Sequence, residues 1–276
     1  MGCSTPVMYC NDGLLKEEGL EVPTTWDEMT EVAKKLIDDG KVEYGFALPH
    51  DPWYFWMFMA QTDTPIFTED GTSFACVEDG TGITMWQKVQ DMVKDKVMYF
   101  GPAQDDNCAA LFSEQKAAFV INSIGALNSI QNAASFDFSV QFVPKEAVNA
   151  VPTGGNTLCM LGSSKEKEAA WDFLHWLYTD NGGVATYSAS IGYLPCSETI
   201  AEMDAIKEKR QDANYQKAFE QLDYADNQHM VSQPNNGDIA NLITAMMEAT
   251  LYDFEDVTEQ MNTMNDEAKA TLADLQ

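Results

Sequence analysis

The sequence lacks the long apolar runs and the basic residues that mark several large classes of protein. Among its 276 residues, no apolar stretch approaches the roughly 18 residues that span a bilayer. The most apolar stretch, residues 53–60, is far too short. Basic residues are scarce, because 16 Lys and Arg stand against 44 Asp and Glu, for a formal net charge of −28. Such a surface repels nucleic acid, so we expect no nucleic-acid partner.

Motifs for covalent chemistry are also missing. The chain has no G-x-S-x-G elbow, no Walker-type phosphate loop, no H-E-x-x-H and no G-x-G-x-x-G. Its six cysteines form no C-x-x-C pair and its three histidines are isolated, so we predict neither a metal site nor another cofactor. The sequence therefore favours a protein that is not an enzyme and has no catalytic residues. Chance carboxylate pairs are inevitable among so many acids, so a carbohydrate-active hydrolase remains the alternative from a different class.

What is present is an alternation of predicted strands and helices, which is typical of an α/β fold. The clearest helix is predicted over residues 26–38, where Thr25 and Glu28 form a T-x-x-E capping box before an apolar face. Aromatic residues cluster at 53–58 and are expected to be mostly buried. Other strands are predicted at 4–9, 44–48, 117–121, 139–143 and 158–161, and other helices at 14–18, 81–94, 125–132 and 165–178.

Five short stretches occur in an order that resembles the extracellular solute-binding proteins of ABC importers. They are residues 4–29, which begin S-T-P-V-M-Y, then K-A-A-F-V-I-N-S at 116–123, G-G-N-T-L at 154–158, E-A-A-W-D-F-L-H-W-L-Y-T-D at 168–180 and I-G-Y-L-P at 191–195. Each motif alone is weak, but five in the family's order are specific. Residues 196–276 match only in helical character.

The resemblance implies an α/β protein of the periplasmic-binding-protein type II fold, with two lobes and a ligand cleft between them. The family's crossover pattern assigns residues 1–120 and 180–276 to the second lobe and residues 121–179 to the returning portion of the first. In the family, the segment matching residues 4–29 lies in the middle of the protein. Here it stands at the start, so we expect the first lobe to be incomplete. We expect this chain to bind ligand weakly or not at all and to expose an unpaired sheet edge.

The resemblance also implies where such a protein works and with what. We expect a monomer that binds a small carbohydrate and delivers it to the permease subunits of an ABC transporter. Its location would be extracytoplasmic, in the periplasm or lipid-anchored at the outer face of the cytoplasmic membrane. No signal peptide is visible after Met1, so the signal segment is expected to be absent from this chain.

The likeness is closest to the branch that includes the glycerol-3-phosphate-binding protein. The ligand contacts of that branch fall on motif positions that carry Ser4, Ser123, Gly155 and Tyr193 here, and Trp53 is the counterpart of a tryptophan near the cleft mouth. Hydroxyls and backbone N–H groups bind a polyol, and an aromatic ring covers its apolar face. Structural roles stay open for each side chain: strand-end hydrogen bonding for the serines, a turn for Tyr193 and core packing for Trp53.

Two more candidate ligand contacts bear on the charge of the ligand. Asn156 follows Gly155 in a turn whose N–H groups could cradle an anion. The phosphate-binding branch carries an arginine just inside the penultimate helix, but the matching residues 236–244 contain no basic residue. Asp238 in that stretch would repel phosphate and accept hydrogen bonds from sugar hydroxyls. We therefore predict a neutral sugar or oligosaccharide, with an sn-glycerol-3-phosphate-type ligand as the alternative.

Overall fold

A computed structural model describes residues 1–101, 107–179, 183–226 and 236–273. The strands are β1 (Gly2–Ser4), β2 (Pro6–Asn11), β3 (Tyr44–Leu48), β4 (Met98–Phe100), β5 (Ala117–Ser123), β6 (Phe138–Gln141) and β7 (Gly154–Asn156). The first seven helices are α1 (Asp12–Glu18), α2 (Trp26–Asp38), α3 (Pro52–Ala60), α4 (Ala75–Glu78), α5 (Thr81–Lys94), α6 (Cys108–Ser113) and α7 (Leu127–Ala133). The others are α8 (Lys167–Thr179), α9 (Gly183–Ile191), α10 (Glu198–Ala201), α11 (Asp204–Lys209), α12 (Ala213–Gln221), α13 (Asn236–Leu251) and α14 (Val257–Ala273).

Five strands form a mixed sheet in the order β4-β3-β5-β2-β6. The central strand β5 runs parallel to β3 and antiparallel to β2, with Pro6 opposite Ser123. Because side chains alternate across a strand, the fully buried β2 sends neighbouring residues into different cores. Met8 and Cys10 pack on one face, and Val7 and Tyr9 on the other.

Helices cover both faces of this sheet. The larger core contains the aromatic helix α3 together with buried side chains of α2, α5, α13 and α14. The smaller core contains side chains of α6, α7 and α12. Gln221 at the end of α12 accepts a hydrogen bond from the backbone N–H of Val143 at 2.8 Å and donates to the carbonyl of Pro6, which ties this layer to the sheet.

Helix α2 begins as the capping box predicts. The backbone N–H of Glu28 donates to Thr25 Oγ1 at 3.2 Å, and the Glu28 carboxylate accepts from the backbone of Thr25 at 3.3 Å. Glu28 also accepts from Thr24, and these hydrogen bonds hold the pKa of its carboxyl below the usual range. The predicted bounds of α2, β3 and α5 are confirmed.

The prediction of a strand at 158–161 is wrong. The strand in this region is β7, which begins four residues earlier, at Gly154, and pairs with β1. Residues 157–160 have no regular structure. Leu161 is 70% exposed, so an apolar run that is typical of a strand has no sheet to join here. Tertiary pairing decides where such a run becomes a strand.

Helices α8 to α11 form a third, smaller cluster around Leu177, Val184 and Ile206. The opposite side of α8 is open, since Trp171, Phe173 and Trp176 are each more than half exposed. The lobe boundaries at 120/121 and 179/180 stay a prediction. Strand β6 lies in the main sheet beside β2, and residue 180 is outside the described residues. Within the described residues, none of the helices has both the length and the apolar character needed to cross a membrane.

Candidate ligand-binding site

A cavity of about 550 Å³ lies at one end of the five-stranded sheet. Strands β3 and β5 run parallel, so their carboxyl ends, at Leu48 and Ser123, lie at the same end. Ligands of α/β sheets commonly bind outside these carboxyl ends. The described lining of this cleft is Ser4, Pro49, His50, Asp51, Trp53, Tyr54, Asn122, Ser123, Gly154, Gly155 and Tyr193. The fold thus brings five of the seven predicted ligand contacts into one cavity.

Ser4 and Ser123 are in direct contact among the residues that line this cavity. Their hydroxyl oxygens are 2.5 Å apart and share a hydrogen bond. Ser123 Oγ also accepts from the backbone N–H of Gly125 at 3.0 Å, which fixes the turn after β5. Both serines therefore form the strand-end hydrogen bonds that the sequence left open as a structural role, and both also line the cleft.

Tyr193 is held between two glycines. A Cβ on Gly2 would lie 2.8 Å from Tyr193 Cδ2, and a Cβ on Gly125 would lie 2.6 Å from Tyr193 Cε1. Both distances are far inside van der Waals contact, so the ring occupies space that only glycine leaves free. Its backbone is fixed as well, because the hydroxyl of Tyr215 donates to the carbonyl of Tyr193 at 2.7 Å.

Trp53 reaches the cleft from the first turn of α3. Asp51 caps this helix by accepting from the backbone N–H of Trp53 at 2.8 Å, and Pro52 follows at the first helical position. The indole ring packs against Gly154, where an added Cβ would lie 3.4 Å from Cζ2. Trp53 is partly buried, so it both packs against the core and lines the cavity.

The crossover turn is built around Gly155. This residue has φ +137°, and a Cβ there would lie 2.1 Å from the carbonyl oxygen of Gly2, so only glycine fits. Asn156 Oδ1 accepts from the backbone N–H of Gly2 at 3.2 Å, which secures the β1–β7 pair. Asp238 is exposed on the first turn of α13 and is not among the described residues that line the cavity. Ligand contacts by Asn156 and Asp238 stay predictions.

Six of the lining residues were not predicted as ligand contacts, and Asn122 and His50 are two of them. Asn122 sits at the end of a strand that reads as continuous apolar core, and it is 6% exposed. His50 follows the end of β3 after Pro49. Asn122 and His50 could have been predicted from their positions, because each is a polar residue at or just after the carboxyl end of one of two parallel strands.

The cleft is electrostatically neutral to acidic. None of the described residues that line it is Lys or Arg, and Asp51 contributes a carboxylate. Burial lowers the pKa of His50, against the opposing carboxylates of Glu248 and Asp51, and so favours the neutral imidazole. In the part of the chain that is described, no group of three His, Cys, Asp or Glu residues is placed to hold a metal ion.

Comparison with known proteins identifies the family. The profile described as "Bacterial extracellular solute-binding protein" matches residues 1–214, which is well over half of the chain. The chain belongs to this solute-binding protein family. The resemblance that the five motifs indicated is therefore confirmed.

Relatives of this solute-binding protein differ in the ligands named for them. The sn-glycerol-3-phosphate-binding periplasmic protein UgpB of Yersinia enterocolitica is 30% identical over 221 residues, which cover 72% of this chain and 48% of that protein. The maltotriose-binding protein of Pyrococcus abyssi is 26% identical over 194 residues, which cover 68% of this chain and 42% of that protein. The chain spans about half the length of the curated relatives it matches.

Structural comparison confirms the predicted fold class. The GacH receptor of Streptomyces glaucescens, solved unliganded and with acarbose, matches with a TM-score of 0.83 at 19% identity. The match covers 99% of this chain and 70% of the receptor. At this identity the likeness shows the α/β periplasmic-binding-protein fold and no more.

Proposed function

We propose that this chain is part of the substrate-binding component of an ABC importer and that it binds a neutral sugar or oligosaccharide. The observation that carries the proposal is the lining of the cleft. It combines the aromatic side chains of Trp53, Tyr54 and Tyr193 with the paired hydroxyls of Ser4 and Ser123. None of its described residues is Lys or Arg. Rings that cover C–H faces and small polar groups that bind hydroxyls are what a sugar requires.

The proposed protein acts by binding and delivery, without covalent chemistry. It works outside the cytoplasmic membrane as a monomer, and its partners are the permease subunits of the transporter. Ligand lies between two lobes that close around it by a hinge. The family membership and the names of the relatives support this proposal.

A phosphate-ester ligand is the second candidate, because the relative from Yersinia is named for sn-glycerol 3-phosphate. Two observations count against it. The described lining offers no Lys or Arg to a phosphate, and residues 236–244 contain no basic residue. A buried phosphate without a charge-assisted partner loses its strongest class of contact. Calorimetry that finds tight binding of sn-glycerol 3-phosphate and none of sugars would reverse our preference.

We also propose that the 276-residue chain binds its ligand weakly. The match covers 70% of the GacH receptor, so the remaining 30% of that receptor has no counterpart among these 276 residues. The exposed face of α8, with Trp171 and Trp176, is consistent with an uncovered packing surface. Micromolar or tighter binding of any sugar would contradict this second proposal.

The test uses the six tryptophans as reporters. A two-dimensional spectrum of ¹⁵N-labelled chain resolves their indole N–H signals, and Trp53→Phe assigns the one in the cleft. Titration with glucose, maltose or maltotriose should move the Trp53 signal and leave that of Trp176 in place. At a sugar concentration ten times Kd, the unfolding free energy should rise by about 1.4 kcal/mol. Formation of hydrolysis products would instead favour the hydrolase alternative.

A further inference from the structure

Unpaired polar atoms are concentrated in the cleft. Four buried side-chain polar atoms have no hydrogen-bond partner within the described residues: Asn11 Nδ2, His50 Nε2, Trp53 Nε1 and Asn122 Nδ2. The last three belong to residues that line the ligand cleft. Asn11 lies outside it, at the carboxyl end of β2, where it caps α1. Folded proteins pair nearly all such atoms with other protein groups or with ordered water, so a cluster of exceptions in one cavity indicates groups whose partner comes from outside the chain.

Asn122 offers a donor. Its Oδ1 accepts from the backbone N–H of Ser123 at 2.7 Å, which fixes the orientation of the amide. The neighbouring hydroxyls are already engaged with each other, since Ser4 and Ser123 share a hydrogen bond. The NH₂ group is therefore the part of the Asn122 side chain that is still free to form hydrogen bonds. The residue is 94% buried by the surrounding protein.

His50 offers an acceptor. The single proton of the Tyr252 hydroxyl is donated to the carbonyl of Gly101, so the contact of 3.5 Å between that hydroxyl and His50 Nδ1 needs a proton on the histidine. With Nδ1 protonated and the ring neutral, Nε2 carries a lone pair. Phe100 and Tyr252 pack against the ring at centroid distances of 4.9 and 5.7 Å and hold its orientation.

We propose that His50 and Asn122 are specificity-determining residues that, with Trp53, read hydroxyl groups of the ligand: the amide and indole N–H groups donate, and His50 Nε2 accepts. This inference rests on the proposed function of the cleft. A hydroxyl both donates and accepts, so it satisfies all three groups. An ionised phosphate or carboxylate oxygen only accepts hydrogen bonds, so it could not donate one to Nε2, and the lone pairs of the two atoms would repel each other. The ligand class is therefore a polyol such as a sugar ring with neighbouring free hydroxyls.

The first experiment needs no ligand. The ¹⁵N chemical shifts of the His50 ring, assigned with His50→Phe, report which nitrogen carries the proton. We expect an unprotonated Nε2 at pH 7. A protonated Nε2 would overturn the acceptor role, whatever the cleft binds.

The second experiment measures maltose binding by the shift of the Trp53 indole signal in three variants. Asn122→Asp replaces the donor by an acceptor of the same shape, and His50→Phe keeps the ring contacts but removes Nε2. Each should weaken binding roughly tenfold, as expected for one lost hydrogen bond beside a group left unpaired. Asn11→Asp is the matched control, because it changes an equally buried and unpaired amide outside the cleft, and binding should stay within about twofold of the wild type.

The outcomes separate the inference from the function on which it rests. If maltose moves the Trp53 signal and both cleft variants bind like Asn11→Asp, the cleft is a sugar site but His50 and Asn122 do not determine its specificity. If glucose, maltose and maltotriose all fail to move the signal, the proposed function fails and the inference falls with it. Melting curves of each variant show that it is folded, and should Asn122→Asp not fold, His50→Phe decides alone.

Discussion

Replacing Gly125 by alanine should push the ring of Tyr193 out of its place in the cleft. Gly125 lies in a short 3₁₀ turn, Ile124–Ala126, and its backbone conformation is open to any residue. A methyl group there would lie 2.6 Å from Tyr193 Cε1 and 3.3 Å from Ser123 Oγ. The ring cannot retreat easily, because its other edge already abuts Gly2.

The size of the effect follows from these distances. An ordinary carbon contact is about 3.5–4.0 Å, so the ring has to move by roughly 1 Å. Insertions of this kind into packed regions cost about 1–3 kcal/mol. Conformational entropy acts in the opposite direction, since Gly→Ala at an unstrained position stabilises by about 0.4–1 kcal/mol. We therefore expect a net loss of about 1–2 kcal/mol, or roughly 2–8 °C in Tm.

The assay is urea and thermal denaturation of Gly125→Ala beside Gly162→Ala. Gly162 is an exposed loop residue, and a Cβ there would have no atom within 4 Å. The control should stay within about 0.5 kcal/mol of the wild type. Tyr193→Leu combined with Gly125→Ala should recover much of the loss, which a double-mutant cycle measures as coupling. A Gly125→Ala protein as stable as the control would refute the packing of Tyr193 between the two glycines.

Three further predictions concern stability away from the cleft. Gln61→Leu should lower the free energy of unfolding by about 1–3 kcal/mol. Gln61 accepts a hydrogen bond from Trp26 Nε1 at 2.6 Å and donates one to the carbonyl of Ala150 at 3.2 Å, so the substitution would leave both of these groups buried and unpaired. An unchanged midpoint of denaturant unfolding would contradict this prediction. Thr25→Ala should cost about 0.5–2 kcal/mol through loss of the cap on α2. The hydrogen bonds from Thr24 lower the pKa of Glu28 in the folded chain, so the stability that its carboxylate contributes is present above the unfolded pKa of about 4.3 and is lost as pH falls through the folded value. The wild-type advantage in Tm over Glu28→Ala should therefore shrink in acid.

Local signals predicted the elements that local forces build. Helix α2 carries its own cap and apolar face, and strand β3 ends at Leu48, just before Pro49, so neither needs a distant partner to be recognised. The run at 158–161 has the composition of a strand but no neighbouring edge, and it stays irregular. A strand is completed by hydrogen bonds to another segment, and the sequence does not say which segment that is.

The candidate site divides in the same way. Ser4, Ser123 and Tyr193 could be predicted because short motifs carried them, and the structure brings them into one cavity. His50 and Asn122 belong to no motif, and their unpaired atoms exist only once the surrounding chain has packed around them.

The sequence by itself determined the family, the α/β fold class and the acidic surface, since motif order, the alternation of predicted elements and net charge are properties of the chain. Tertiary structure decided the chemistry of the cleft. Residues from five distant segments meet there because β3 and β5 run parallel and end together, and β1 closes on β7. A polar atom is free to bind ligand only when no neighbouring group of the folded chain forms a hydrogen bond with it. That is a property of three-dimensional packing, and linear order does not contain it.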